Sequence, residues 1–327
     1  MADRTDLFER RNRMRIVALV FLATLNYIVA VVMAAIALGL GIALTIAFQG
    51  DFPTDADSVK FVAIGLAVVA VGSAVIGVLV GVMRIPFLRR SLEQRVLRET
   101  GAHVIQPEEH TELRNLLEGL AIAAGIPPPR VAVIDDAAPN SFGVGTRPSH
   151  TIVGITTGLG ERLSRDELEA VLAYEVSRIR SLDVALSSWT VALTSGAISA
   201  VDSSNDSILR AVLGFVPRRL AASLQVWALR DQGVERDRAA IQFTRNPVAL
   251  IRALEKLDAD SSQIGRVSRA TGPLWLEFPA HVLGDFPSRA TRRLAHELVL
   301  DERIDHLREL AGQPPRAAGT AGTAGPA

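Results

Sequence analysis

Two long uncharged stretches, Ile16 to Phe48 and Phe61 to Met83, constrain this 327-residue chain more than any other feature. A helix that crosses a bilayer needs roughly 20 consecutive apolar residues, and both runs reach that length. They predict a transmembrane hairpin, helices 16–48 and 61–83, after a short cytoplasmic N-terminus (1–15). The apolar part of a signal peptide is much shorter, so the hairpin is expected to stay in the mature protein. Arg10, Arg11, Arg13 and Arg15 precede the first run and Arg84, Arg89, Arg90 and Arg95 follow the second, whereas the connecting loop carries Asp51, Asp55 and Asp57 against Lys60. Arg and Lys collect on the cytoplasmic side of spans, which places both ends of the hairpin, and the body after it, in the cytoplasm. The lipid bilayer is therefore the first expected partner. A mean hydropathy of +0.27 agrees, and the absence of cysteine is compatible with a reducing compartment. Basic and acidic residues balance at 35 each, and the Arg clusters sit at the membrane flanks, so nothing supports nucleic-acid binding.

The remainder, 84–310, reads as an α+β body that is mainly α. A helix is expected over 107–124, a strand over 130–134, a second strand over 150–155 and a helix over 248–257. Ser164 followed by Glu167 is a capping box, so a helix should begin there and carry Tyr174 to Arg178. Val184 to Val201 is uncharged but rich in Ser and Thr, and Ile208 to Leu229 contains Arg210, Pro217, Arg218 and Arg219. Arginines are expensive at the bilayer centre, so 184–229 reads as a membrane-surface or partly inserted helical hairpin in preference to two clean spans. Residues 258–287 carry no clear periodicity. From residue 311 the composition of Pro, Gly, Ala and Thr is that of a disordered tail, 311–327.

Within the capped helix, Tyr174-Glu175-Val176-Ser177-Arg178 has the frame of H-E-x-x-H with both histidines replaced. Residues i and i+4 share a helix face, so two histidines at that spacing aim two imidazoles at one Zn²⁺ while the Glu reaches its bound water. A neutral phenol is a poor ligand near pH 7, and a guanidinium has no lone pair and carries a fixed positive charge. Glu175, the general-base position, survives but has no metal-activated water to act on. The six histidines show no paired metal spacing. A substitute site built from Glu175, Glu235 and Asp237 with one of them would suit Mg²⁺ or Ca²⁺ better than Zn²⁺. No Gly-rich phosphate loop is present, and Ser141 lies in no G-x-S-x-G.

The neighbours of this motif resemble the HtpX-type membrane zinc metallopeptidases, the zincin-type family that includes the CAAX prenyl endopeptidases. That family runs P-N-A-F-A-x-G, a strand ending T-x-G-L, then D-E-L-x-x-V-x-A-H-E-x-x-H-I-x-x-x-D. Pro139, Asn140, Phe142, Gly145, Thr157, Gly158, Leu159, Glu167, Leu168, Val171, Ala173, Glu175, Ile179 and Asp183 match it. Leu300-Asp301-Glu302-Arg303-Ile304-Asp305-His306-Leu307 resembles the family's closing segment. The resemblance implies a third ligand, a Glu, where Arg230 to Asp237 aligns, and that position holds Gly233. It thus implies a bacterial-type inner or cell membrane protein whose relatives use zinc, while this chain lacks the ligands for that cofactor.

The expected function is that of a catalytically inactive homologue, a pseudoprotease acting as a peptide- or protein-binding, scaffolding or regulatory subunit. The alternative is an active membrane zinc metalloendopeptidase with a non-standard ligand set. The candidate pocket comprises Tyr174, Glu175, Arg178, Asp183, Gly233 and Asp237. In it the Arg178 charge would replace the metal's, paired with Asp237 or with Glu175, unless Arg178 is a solvated charge on the helix face. Asn140, Ser141, Phe142 and Gly143 form a candidate peptide groove, where an exposed strand edge could bind an extended peptide without a metal, or serve only as turn residues.

Overall fold

A computed structural model of the chain describes residues 4–48, 56–106, 108–202, 237, 240–241, 246–260, 262–267, 271–277 and 300–314. Two compact units partition the chain, Val17–Arg90 on one side and Met1–Ile16 with Ser91–Ala327 on the other. Helices α1 (Arg4–Phe48) and α2 (Ala56–Thr100) each contribute to both.

In the first unit the two helices approach closely at small residues. A Cβ added to Gly77 would lie 3.3 Å from the Ile28 backbone, and one on Gly81 would lie 3.0 Å from the Thr24 methyl. Small side chains of this kind let helix backbones pack where solvent exclusion cannot drive association. Outward from that seam the unit is apolar: Phe21, Val71 and Met83 are 64%, 65% and 74% exposed. Among the described residues no single helix is long and apolar enough to cross a membrane. The pair Ala67–Met83 and Ile85–Thr100 meets the test jointly, bent by 43°. Pro86 accounts for the bend, because it lacks an N–H and its ring displaces the carbonyl one turn back.

The second unit is mostly helical around a four-stranded mixed sheet. Strands β1 (His103–Val104), β2 (Arg130–Ile134), β3 (Ser141–Arg147) and β4 (His150–Thr156) lie in the order β1-β2-β4-β3. β2 and β4 are parallel, and the outer pairs are antiparallel. Alternation along the strands splits the interior into two cores. Val131, Val133, Val153 and Ile155 face the core with α3 (Thr111–Ala124), α5 (Arg165–Arg180), α7 (Pro247–Asp258) and α8 (Leu300–Leu310). Ala132, Ile134, Ile152, Phe142 and Val144 face the other, which includes Leu92 and Val96 of α2 and the segment around Trp275. A short helix α4 (Thr157–Arg162) follows β4, and α6 (Asp183–Asp202) lies against β3, where Ser188 Oγ accepts the Gly145 N–H at 2.9 Å.

Several sequence expectations need correction. The first helix of the body starts at Thr111 and not at 107, because Gln106 and Glu109 close a turn before it. Asn140 to Gly143, read as a groove with an exposed strand edge or as turn residues, are buried, and Ser141 onward belongs to β3. The start of 184–229, expected at a membrane surface, is protein interior: Val184, Leu186, Trp189 and Val191 are all buried. Residues 203–229 and the tail beyond 314 lie outside the described residues, as do Gly233 and Glu235.

Phe142 packs across its β4 partner Gly154, where an added Cβ would meet the Phe142 ring at 2.0 Å. The ring is fully buried and has no free space to turn into. Gly154→Ala is therefore expected to cost about 2 kcal/mol or more through overpacking. A thermal-unfolding midpoint equal to that of the parent chain would show that this contact is not tight.

Candidate functional site

Helix α5 carries Tyr174, Glu175 and Arg178. Ser164 Oγ accepts the Glu167 N–H, and a Glu167 carboxylate oxygen accepts the Ser164 N–H at 2.7 Å, so the predicted capping box is present. From Ala170 to Ile179 every residue is buried, which makes α5 a central helix with interior on all sides. Polar side chains at Tyr174, Glu175 and Arg178 are thereby forced to find partners inside the protein.

Arg178 is 0% exposed, which removes the reading of a solvated charge. Its Nη1 donates to Glu175 Oε2 at 3.0 Å and to the Leu274 carbonyl at 3.1 Å, and its Nε donates to Asp183 Oδ2 at 2.8 Å. The other Glu175 oxygen accepts from Ser141 Oγ at 2.8 Å. Asp183 reaches Arg178 because the chain turns sharply after α5: Leu182 adopts φ +60, a left-handed conformation unfavourable for a side chain of its size. The Ser181 carbonyl at this corner accepts from Asn12 Nδ2 at 2.9 Å, and Asn12 is itself fully buried. Burial by itself would push the Arg178 guanidinium down, but Glu175 and Asp183 outweigh it and hold the group above its ordinary range.

Asp237, the other expected partner, does not pair with Arg178. It accepts a two-pronged bond from Arg303 of α8, Nη2 to Oδ1 at 2.7 Å and Nε to Oδ2 at 3.1 Å, and both side chains are almost fully buried. Arg303 Nη1 also holds the Leu276 carbonyl at 3.1 Å. The Tyr174 ring is close to both guanidiniums, 5.8 Å from Arg178 and 5.0 Å from Arg303. Arg303 was missed as a site residue, though its spacing offers a signal: it lies four residues before Leu307 and seven before Leu310, on the apolar stripe of α8.

The candidate groove residues are also interior. Asn140, Ser141 and Phe142 are at most 2% exposed, and a Cβ on Gly143 would come within 3.1 Å of Glu175 Oε2. The site therefore joins α5, β3, the first residue of α6 and the segment 272–277, with the Asp237–Arg303 pair beyond Tyr174. Zinc does not fit the residues at the two described ligand positions. A guanidinium already bound to both nearby carboxylates fills the second of them, and among the described residues no group of three or more His, Cys, Asp or Glu could hold a metal ion.

Glu277 closes the far end of the site. Its burial, and then Asp258 and Asp260, push its carboxyl up to about 7 against the opposing pull of Arg303. The folded state prefers the protonated form, so its contribution to stability is complete below pH 4.5 and is lost as pH rises through about 7. Relative to Glu277→Gln, the parent chain is expected to lose on the order of 2–3 kcal/mol between those limits. Denaturation curves of the two proteins that stay parallel across this window would contradict the assignment. Arg178→Ala, which strands two buried carboxylates, is expected to cost about 3–5 kcal/mol. Combining Arg178→Met with Glu175→Gln and Asp183→Asn is expected to recover much of that, and the comparison is made by chemical unfolding.

The family model for peptidase family M48 matches residues 107–310, which takes in this whole site. A protein named Protease HtpX homolog from Streptococcus gordonii is 32% identical over 263 residues, covering 73% of this chain and 86% of its own length. A protein of the same name from Ligilactobacillus salivarius is 35% identical over 205 residues, 56% of this chain and 70% of its own. Another, from Dictyoglomus turgidum, is 31% identical over 230 residues, covering 65% and 74%. The chain belongs to peptidase family M48 and is an HtpX-like member of it.

Proposed function

We propose that this M48 family member is a membrane-anchored homologue of the HtpX-type proteases that does not cleave peptides, and that it serves as a peptide- or protein-binding, scaffolding or regulatory subunit. The observation that carries the reading is Arg178. Its guanidinium stands at the second ligand position of the motif, fully buried and bonded to both Glu175 and Asp183. Both Glu175 oxygens already accept a bond, one from Arg178 and the other from Ser141, and the side chain is fully buried, which places it poorly to act as a general base on a solvent water. The fixed charge supplies what the buried carboxylates need, so the pocket holds together without a divalent cation.

Anchoring in the bilayer by the hairpin 16–83 is supported by the two uncharged runs and by the exposed apolar side chains of Val17–Arg90, among them Phe21, Val71 and Met83. The flanking arginines favour a cytoplasmic body spanning 84–310. Other membrane proteins or their extended segments are the proposed partners.

A second reading, an active zinc endopeptidase with other ligands, is favoured by the retained Glu175 and by the name that the relatives carry. Metal analysis and peptidase assays on the purified chain separate the two. No stoichiometric zinc and no cleavage are expected from the parent. The combination Tyr174→His, Arg178→His and Gly233→Glu is expected to bind zinc. Stoichiometric zinc in the parent, lost in Glu175→Gln or Glu235→Gln, would establish the active reading instead.

A further inference from the structure

The outer edge of β3 is already taken by the chain's own segment 272–277. Trp275 bridges Phe142 in the antiparallel sense, and the Leu276 N–H donates to the Ser141 carbonyl at 2.8 Å. Asn140 holds the end of the segment twice, with Nδ2 donating to the Glu277 carbonyl at 2.9 Å and Oδ1 accepting the Glu277 N–H at 3.1 Å. The two buried guanidiniums take two further carbonyls of the segment, Arg178 that of Leu274 and Arg303 that of Leu276. Backbone bonds to an edge strand, with alternate side chains in pockets, are what an added peptide strand makes.

We propose that Gly272–Glu277 is an internal peptide ligand of the β3 edge, and that a partner segment gains this edge only by exchanging for it. The inference rests on the reading of Asn140 to Gly143 as a peptide-binding edge, and is independent of whether the chain is catalytic. The seat of the segment defines the chemistry of its competitor. Leu274, Trp275 and Leu276 are 0%, 3% and 1% exposed, so displacing them uncovers three large apolar side chains. A competitor must bring equivalents, with an aromatic ring to replace Trp275 at 5.2 Å from Phe142. It must also present two carbonyls, since Arg178 Nη2 has no partner among the described residues and loss of the Leu274 contact would add to that cost. The ligand class is an extended peptide of aliphatic, aromatic, aliphatic and acidic residues in that order.

Three features favour exchange over permanence. Pro273 has no N–H to extend the pairing, and the Phe142–Trp275 contact is an isolated bridge and not a ladder. Glu277, when ionised, is repelled by Asp258 and Asp260 at the end of the segment.

Hydrogen exchange on the full chain in detergent tests the proposal. Amides of Leu276 and Glu277 are expected to exchange at least tenfold faster than those of Val153 and Ile155 in β4, as local opening requires. A fluorescein-labelled peptide of sequence Thr-Gly-Pro-Leu-Trp-Leu-Glu is expected to bind Trp275→Ala at least tenfold more tightly than the parent. Equal protection in the segment and in β4 overturns the proposal, because the segment is then fixed core. If the segment opens but no peptide binds, exchange and the peptide-binding reading fall together, while the metal and peptidase assays still decide catalysis separately. Should Trp275→Ala not fold, Asn140→Ala removes both bonds to Glu277 without touching the three apolar side chains, and the same outcomes apply.

Discussion

A buried guanidinium among carboxylates sets the terms for the second unit. An ion of that size taken out of water is costly by several kcal/mol even after relaxation, and only close, well-directed partners offset it. Arg178 meets that demand with two carboxylates and a carbonyl, and each partner comes from a different element. Glu175 lies one turn back on α5, Asp183 opens α6, and Leu274 belongs to the segment that follows α7. The position of each is therefore tied to the others through one side chain. Tyr174 extends the arrangement to Arg303 and Asp237, so that the last helix of the fold shares the same charged interior.

Much of this was legible in the residues. The capping box fixed the start of α5, and the spacing within it placed Glu175 and Arg178 on one face. β2 and β4 followed from their β-branched runs. The family frame identified Asp183 as a pocket residue, although sequence alone gave no sign that a left-handed Leu182 would turn it onto Arg178. What stayed hidden depended on contacts between distant segments. Asp237 stood beside Glu175 as a candidate partner of Arg178, because no spacing rule could reveal that Arg303, far along the chain, would take it. Asn140 to Gly143 looked like an open edge because its composition suits one. Only the placement of Trp275, in a stretch without periodicity, shows the edge covered.

The first unit follows a different rule. Its glycines matter where the two helices touch, and its apolar side chains point outward. The uncharged runs predict two spans here, whereas among the described residues no single helix is long and apolar enough to cross a membrane. Pro86 then interrupts α2 beyond the second apolar run, where the sequence also turns basic.

The Arg178 cluster also bears on how such a chain can change over generations. A single Arg178→His substitution would leave Asp183 and Glu175 without the cation that both of them bond. Domains are stable by only roughly 5–15 kcal/mol, so such a step yields a markedly weakened protein. Position 178 is thus held in place by stability alone, whether or not any activity depends on it.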